Sequence, residues 1–171
     1  MTAAPRIETD RLVLRPHRME DFAAMAAFFA SDAAGFVGGP MPAPRAWHRF
    51  AADVGSWDLL GFGAWAIEEK ATGAFAGQLA LSRPPHFPER EIGWLVLPGF
   101  EGRGYAAEAA RAVRAFAYDT LGWETAVSYI NPDNSRSIAL ARRLGCTEDP
   151  AAEPLYPWDI VFRHPAPEVR Q

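Results

Sequence analysis

Cysteine and lysine are almost missing from this 171-residue chain. Cys146 stands alone, which excludes an internal disulfide and makes a reducing compartment the simplest reading. Lys70 is the single lysine among 17 basic residues, an arginine bias that carries no mechanism. A basic surplus is also lacking: the formal net charge is −4. That argues against a nucleic-acid binder, because phosphate contacts need an excess of Lys and Arg. No apolar run approaches the roughly 18 residues needed to span a bilayer, so no membrane partner is expected. Met1 to Asp10 lacks the apolar centre of a signal peptide, and a cytoplasmic location is the expectation. His17, His48, His86 and His164 show no metal-ligand spacing, so no metal is expected. Repeats and low-complexity linkers are absent too.

What is present reads as one domain over residues 1–171, large enough to bury a core. Apolar residues make up 49% of the chain and charged residues 22%, a globular balance. Arg11 to Arg15 (RLVLR) alternates as a strand, and Met19 to Ala30 has helical spacing with Glu20 and Asp21 at its start. Gly35 to Pro44 is loop, and a second helix is predicted over Arg45 to Leu60. Phe62 to Glu68 and Ala74 to Ser82 flank a turn and form a hairpin; Glu91 to Leu97 (EIGWLVL) is a further strand. Two βα units follow: a long helix over Gly102 to Leu121, a strand over Glu124 to Ile130, and a shorter helix over Asn134 to Leu144. Trp158 to Arg163 is the last strand, and the tail from His164 (164–171) is expected to fray. The order implies a mixed α/β (α+β) domain.

The chemistry-bearing segment is LVLPGFEGRGYAAEA, Leu95 to Ala109. An aliphatic strand stops at Pro98, and a helix opens with small residues only. Gly102 and Gly104 permit backbone dihedrals closed to other residues and a close approach of a ligand. Helix-opening N–H groups lack internal partners and carry partial positive charge, so they suit a phosphate. A P-loop is excluded, since no Gly-Lys-Ser/Thr follows. A dinucleotide fingerprint lacks its third glycine, the position being Ala107, and the next strand ends in Ile130-Asn131 without an acid.

Glu101-Gly102-Arg103-Gly104-Tyr105-Ala106 resembles the acetyl-CoA motif of the GNAT N-acetyltransferases, Gln/Arg-x-x-Gly-x-Gly/Ala. Glu101 departs from the first position and should therefore point to solvent. The string GRGYAAEA is similar to the ribosomal-protein N-terminal acetyltransferase branch, as are TDRLVLRPHRMEDF near the start and VFRHP near the end. The resemblance implies a mostly antiparallel mixed sheet, helices on both faces, and central strands that splay to admit acetyl-CoA. It implies that the backbone of Trp94, Leu95 and Val96 bonds the pantetheine arm, and that Gly102, Arg103, Gly104, Tyr105, Ala106 and Ala107 hold the pyrophosphate.

A second stretch, NPDNSRSIALARRLGC, is a well-specified helix with Asn134 as N-cap and Gly145 as stop. By resemblance, Asn134 contacts the pantetheine arm. The tyrosine that protonates the leaving thiolate in many relatives is replaced by Ala141; the resemblance to the N-terminal acetyltransferase branch, which often lacks that tyrosine, implies Ser137 as the acid. Glu91 matches the general base, which must take a proton from the attacking amine; the alternative is a strand-end carboxylate paired with Arg90 or Arg83. Cys146 reads as core rather than nucleophile. Trp47, Trp57 and Trp158, with Tyr156, are candidates for the acceptor wall.

The implied reaction is direct attack of a primary amine on acetyl-CoA in a ternary complex, the acceptor being a protein N-terminus or a small amine. A longer acyl chain, a non-catalytic acyl-CoA sensor and a dinucleotide module are the rival readings. Monomer and homodimer both stay open.

Overall fold

The structure is a computed structural model, and it describes residues 3–167. Where the sequence suggests one opening strand there are two, β1 (Ile7–Glu8) and β2 (Leu12–Arg15), paired antiparallel. Helix α1 (Met19–Phe29) follows. Its Asp21 carboxylate accepts from the Arg18 N–H at 2.8 Å and from Arg15 Nη1 and Nη2 at 2.8 and 2.9 Å, a buried ion pair that fixes the helix start to β2. The expected loop contains a 3-10 turn, Asp32–Val37. Helix α2 (Ala43–Leu60) begins two residues earlier than expected, with Pro44 in its first turn, where an absent N–H costs nothing.

Next come β3 (Ala64–Glu69), β4 (Phe75–Ser82), β5 (Glu91–Val96), α3 (Tyr105–Asp119), β6 (Val127–Ile130) and α4 (Ser135–Arg143). A short β7 (Thr147–Glu148), not foreseen from its two exposed polar residues, and β8 (Ile160–Arg163) complete the chain. The sheet order is β1-β2-β3-β4-β5-β6-β8-β7. Every neighbouring pair is antiparallel except β5 and β6, which are parallel and joined through α3.

Strand alternation divides the core between two faces. Trp65, Ile67, Leu79, Leu81 and Ile92 pack with α3 and α4 on one side. Leu95 and Leu97 pack with Met25, Phe29 and Phe50 of α1 and α2 on the other. The α3 face toward the sheet is Ala109, Ala110, Val113 and Ala117, all wholly buried. Those small side chains bring the α3 axis close to the sheet. Enlarging Ala110 to Leu would cost about 1–3 kcal/mol through overpacking.

The tail does not fray at His164. Its N–H donates to the Ala126 carbonyl at 2.9 Å, and its ring Nε2 lies 3.0 Å from Ser128 Oγ. Burial, with Arg114 nearby, pushes the His164 pKa down to about 3, so the ring is neutral. The rest of the expected tail, 168–171, lies outside the described residues. Among the described residues no helix is long and apolar enough to cross a membrane.

Candidate active site

The parallel pair β5/β6 is in register at a single position, Glu91 opposite Val127. Val127 N–H donates to the Arg90 carbonyl at 2.9 Å, and Ser128 Oγ donates to the Ile92 carbonyl at 2.6 Å. Beyond these links the strands part. On the other edge of β5, Leu97 N–H donates to the Ala76 carbonyl. Hydrogen-bonded pairs alternate along an antiparallel ladder, so the β5 residues whose amides face β4 are Leu95, Gly93 and Glu91. The peptide groups of Trp94 and Val96 therefore face the gap. The backbone of Leu95, which the resemblance also places on the pantetheine arm, is spent on β4.

β5 runs on into the turn ahead of α3. Gly99, Gly102 and Gly104 have φ of 90°, 73° and 80°, in the left-handed region that favours glycine. A β-carbon built on Gly102 would meet nothing within 4 Å, so the turn presents open space there. Gly104 is the N-cap and no side chain caps the helix, which leaves the N–H groups of Tyr105, Ala106 and Ala107 without intrahelical partners. Open space, uncapped amides and the helix dipole fit a pyrophosphate.

The side chains of this segment have other tasks. Tyr105 is buried, and its hydroxyl donates to Glu69; Arg103 Nη1 donates to the same carboxylate at 3.1 Å. Glu108 accepts from Thr9 Oγ1 at 2.5 Å and from Arg11 N and Nε at 2.8 and 2.7 Å. The opening segment and the GRGYAAEA string are thus bonded to each other. Glu101 is exposed, and there its carboxylate accepts from the Gly99 N–H at 3.1 Å and from Arg136 Nη1 at 3.5 Å.

Glu91 stands where the strands begin to part. Its carboxylate leans forward along the strand over Gly93, 3.6 Å from where a β-carbon on that glycine would sit. Neither Arg83 nor Arg90 takes it up: Arg83 Nε donates to the Phe87 carbonyl, and Arg90 lies over the Trp123 ring. Burial raises its pKa to about 7; Arg49 and the Tyr129 N–H oppose the rise, while Asp53 and Asp159 add to it. A carboxyl half-ionised near neutrality suits proton abstraction from an amine.

On the far side of the gap, Asn134 caps α4, its Oδ1 accepting from the Ser137 N–H at 3.1 Å. The cap uses only the oxygen, so the NH₂ remains for a ligand. Ser137 Oγ accepts from Trp94 Nε1 at 3.2 Å, which leaves its single proton to donate. Ala141 is wholly buried, so no hydroxyl enters from that position. Burial pushes the Cys146 thiol up to about 11, which disfavours the thiolate a nucleophile needs.

Glu91, Trp94, Leu95, Asn134, Ser137 and Trp158 all line one crevice of about 600 Å³. Trp47 and Trp57 do not. Trp47 packs edge-on against Phe22, and Trp57 is buried on Trp65 with Nε1 donating to the Ala64 carbonyl at 3.0 Å. Both belong to the packing of α2. Trp158 stacks on Tyr156 with the rings 9° from parallel, exposed at the mouth. Sequence reasoning missed Arg49, Asp53, Gln78 and Asp159, which also line the crevice. No motif marks them, because they come from α2, β4 and the segment before β8. Another depression, beside Arg15, Glu20 and Glu68, holds paired ions and none of the candidate groups.

Residues 11–147 match the acetyltransferase (GNAT) domain family. The chain belongs to the GNAT acetyltransferase family. That family's chemistry is acyl-CoA-dependent N-acetyl transfer. An acetyltransferase of Agrobacterium tumefaciens has a similar structure, with TM-score 0.91, 46% identity and 95% of each chain covered. A structure described as a ribosomal-protein-serine acetyltransferase of Vibrio cholerae superposes with TM-score 0.75 over 96% of this chain and 100% of its own. At 22% identity that likeness shows the GNAT fold alone. The uncharacterized protein YkkB of Bacillus subtilis is 33% identical over 50% of this chain and 51% of its own, so the match spans about half of that relative.

Proposed function

We propose that this protein moves an acetyl group from acetyl-CoA to a primary amine by direct attack within a ternary complex. The parting of β5 from β6 immediately after Glu91 carries the reading. A near-neutral carboxyl and the unpaired Trp94 peptide group stand beside it in one crevice, and the uncapped start of α3 follows the end of β5.

In this reading the amides of Tyr105 to Ala107 bind the pyrophosphate, and the Trp94 and Val96 peptide groups align the pantetheine arm as an added strand. Asn134 donates its NH₂ to the same arm. Glu91 takes a proton from the acceptor ammonium, so that the nitrogen lone pair is free to attack the thioester carbonyl. The C–N bond forms and leaves the nitrogen with one proton too many. As the C–S bond breaks, Ser137 gives its proton to the departing sulfur and is reprotonated, through water, by the one the nitrogen sheds, while Glu91 returns its own to solvent. An N–H on the gap side of β5 faces the carbonyl oxygen as negative charge develops.

The acceptor class of a protein N-terminus or a small amine follows from this chemistry. A non-catalytic sensor is the second reading, favoured by the burial of Ala141 in place of a hydroxyl. Release of free thiol from acetyl-CoA on adding a panel of amines tests between them. Amine-dependent release is expected; tight coenzyme binding with no release for any amine would overturn the proposal.

A further inference from the structure

Residues opposed across an antiparallel ladder show their side chains on the same face. The registers set Ala64 opposite Ala80 and Ala80 opposite Gly93, so three small residues lie abreast across β3, β4 and β5. They form the floor of a trough within the crevice, on the face covered by α2. One bank is Gln78 beside Leu95; the other is Ser82 beside Glu91. Because the Glu91 carboxylate lies over Gly93, it sits one row of small residues from Gln78, about 7 Å along the strand.

The Gln78 bank is chemically incomplete. Gln78 is 4% exposed, and its Nε2 donates to Asp53 Oδ2 at 2.9 Å. Its Oε1 is buried with no hydrogen-bond partner. An orphaned buried acceptor is costly and uncommon. Beside it the Asp53 carboxylate is a second acceptor. Arg49 shares the crevice, but its Nη1 donates to the Val37 carbonyl at 2.9 Å and its guanidinium lies over the Phe29 ring. An acceptor without a donor, beside a carboxylate whose one side-chain donor is the neutral Gln78 amide, calls for a ligand with N–H groups and positive charge.

We propose that Gln78 and Asp53 form a subsite for a second, cationic nitrogen of the acceptor, making the preferred acceptor a small molecule with two basic nitrogens. The inference rests on the acetyl-transfer reading with Glu91 as base. One nitrogen loses its proton to Glu91 and is acetylated; the other stays protonated and donates to Gln78 Oε1 and Asp53. Burial raises the Asp53 carboxyl above its ordinary range, and a cation beside it favours the ionised form. A monoamine would leave Gln78 Oε1 unpaired and the Asp53 charge uncompensated by the ligand, the situation in which polar sites discriminate most strongly.

The test compares a linear four-carbon diamine with butylamine, by thiol release, in the wild type, Asp53→Asn and Gln78→Met. Coenzyme A binding by calorimetry reports that each variant is folded. The wild type is expected to favour the diamine in kcat/KM by at least about tenfold. Each variant is expected to lose that preference while binding coenzyme A as the wild type does. Calorimetric titration of the diamine into the wild-type complex with coenzyme A should also show binding that Asp53→Asn weakens. Equal kcat/KM for the two amines in the wild type, or proportional losses on both in the variants, would overturn the subsite alone. Coenzyme binding without thiol release from either amine would instead overturn the transfer reading, and this inference with it.

Discussion

At the turn ahead of α3 the groups offered to a ligand are peptide amides, exposed by the left-handed turns at Gly102 and Gly104. At the α2 end of the crevice they are side chains, Asp53, Gln78 and Glu91, delivered from three separate elements and held by burial. The first end needs glycine at fixed places and tolerates much elsewhere. The second needs particular oxygens at particular depths, and one isosteric change can disable it. A site of the first kind suits a co-substrate shared by a whole family; one of the second kind suits an acceptor that differs between members.

The sharpest way to break that contrast is Glu91→Gln. Turnover should fall about 10²–10⁴-fold, the usual weight of a positioned base. Coenzyme A affinity, measured by calorimetry, should hold. A parallel loss of both would mean that the two ends are not separable.

Gly102→Val should do the opposite. Positive φ costs a β-branched residue about 1–2 kcal/mol of stability, and the new side chain enters the open space over the turn. Coenzyme A affinity should drop about tenfold or more, since close approach to the amides is lost. Unchanged affinity would remove the turn from the binding site.

The pH dependence sharpens the acceptor end. The base must be ionised, and burial holds the Glu91 carboxyl near 7, so kcat/KM should rise through about pH 7. That limb should vanish in Glu91→Gln, whereas any limb from the amine itself should persist. Stability runs the other way. The folded pKa lies above the ordinary carboxyl value, so the contribution is fully present below about pH 4.5 and is lost as pH rises through about 7. Above pH 7, Glu91→Gln should therefore melt higher than the wild type, by roughly 1 kcal/mol after discounting for partial exposure to the crevice. A lower melting point there would contradict the raised pKa.

The smallest effect is expected at Cys146→Ala, a core position. Turnover should stay within about twofold, with a stability loss of about 1 kcal/mol for the buried sulfur.

The same contrast explains what the sequence made legible. Gly102 and Gly104 are readable because a backbone site needs glycine and small residues in consecutive positions, and Asn134 because an N-cap sits at a fixed offset from its helix. The alternation in EIGWLVL was enough to place Glu91 and Trp94 on opposite faces. Ladder parity, which assigns the Leu95 amide to β4, depends on the partner strand and has no local signature. Asp53 and Gln78 meet only because α2 folds over β4, and neither stands out in its own segment. Trp57 looked like a wall of the acceptor site, yet its indole N–H bonds the Ala64 carbonyl inside the packing of α2 on β3. β7 was invisible because two exposed polar residues carry no period.

A crystal structure with coenzyme A bound tests the central claim most directly. The pyrophosphate should lie on the amides of Tyr105 to Ala107, and the arm should run between β5 and β6, bonded to the Trp94 and Val96 peptide groups. Coenzyme bound elsewhere, with the gap beyond Glu91 and Val127 empty, would contradict it.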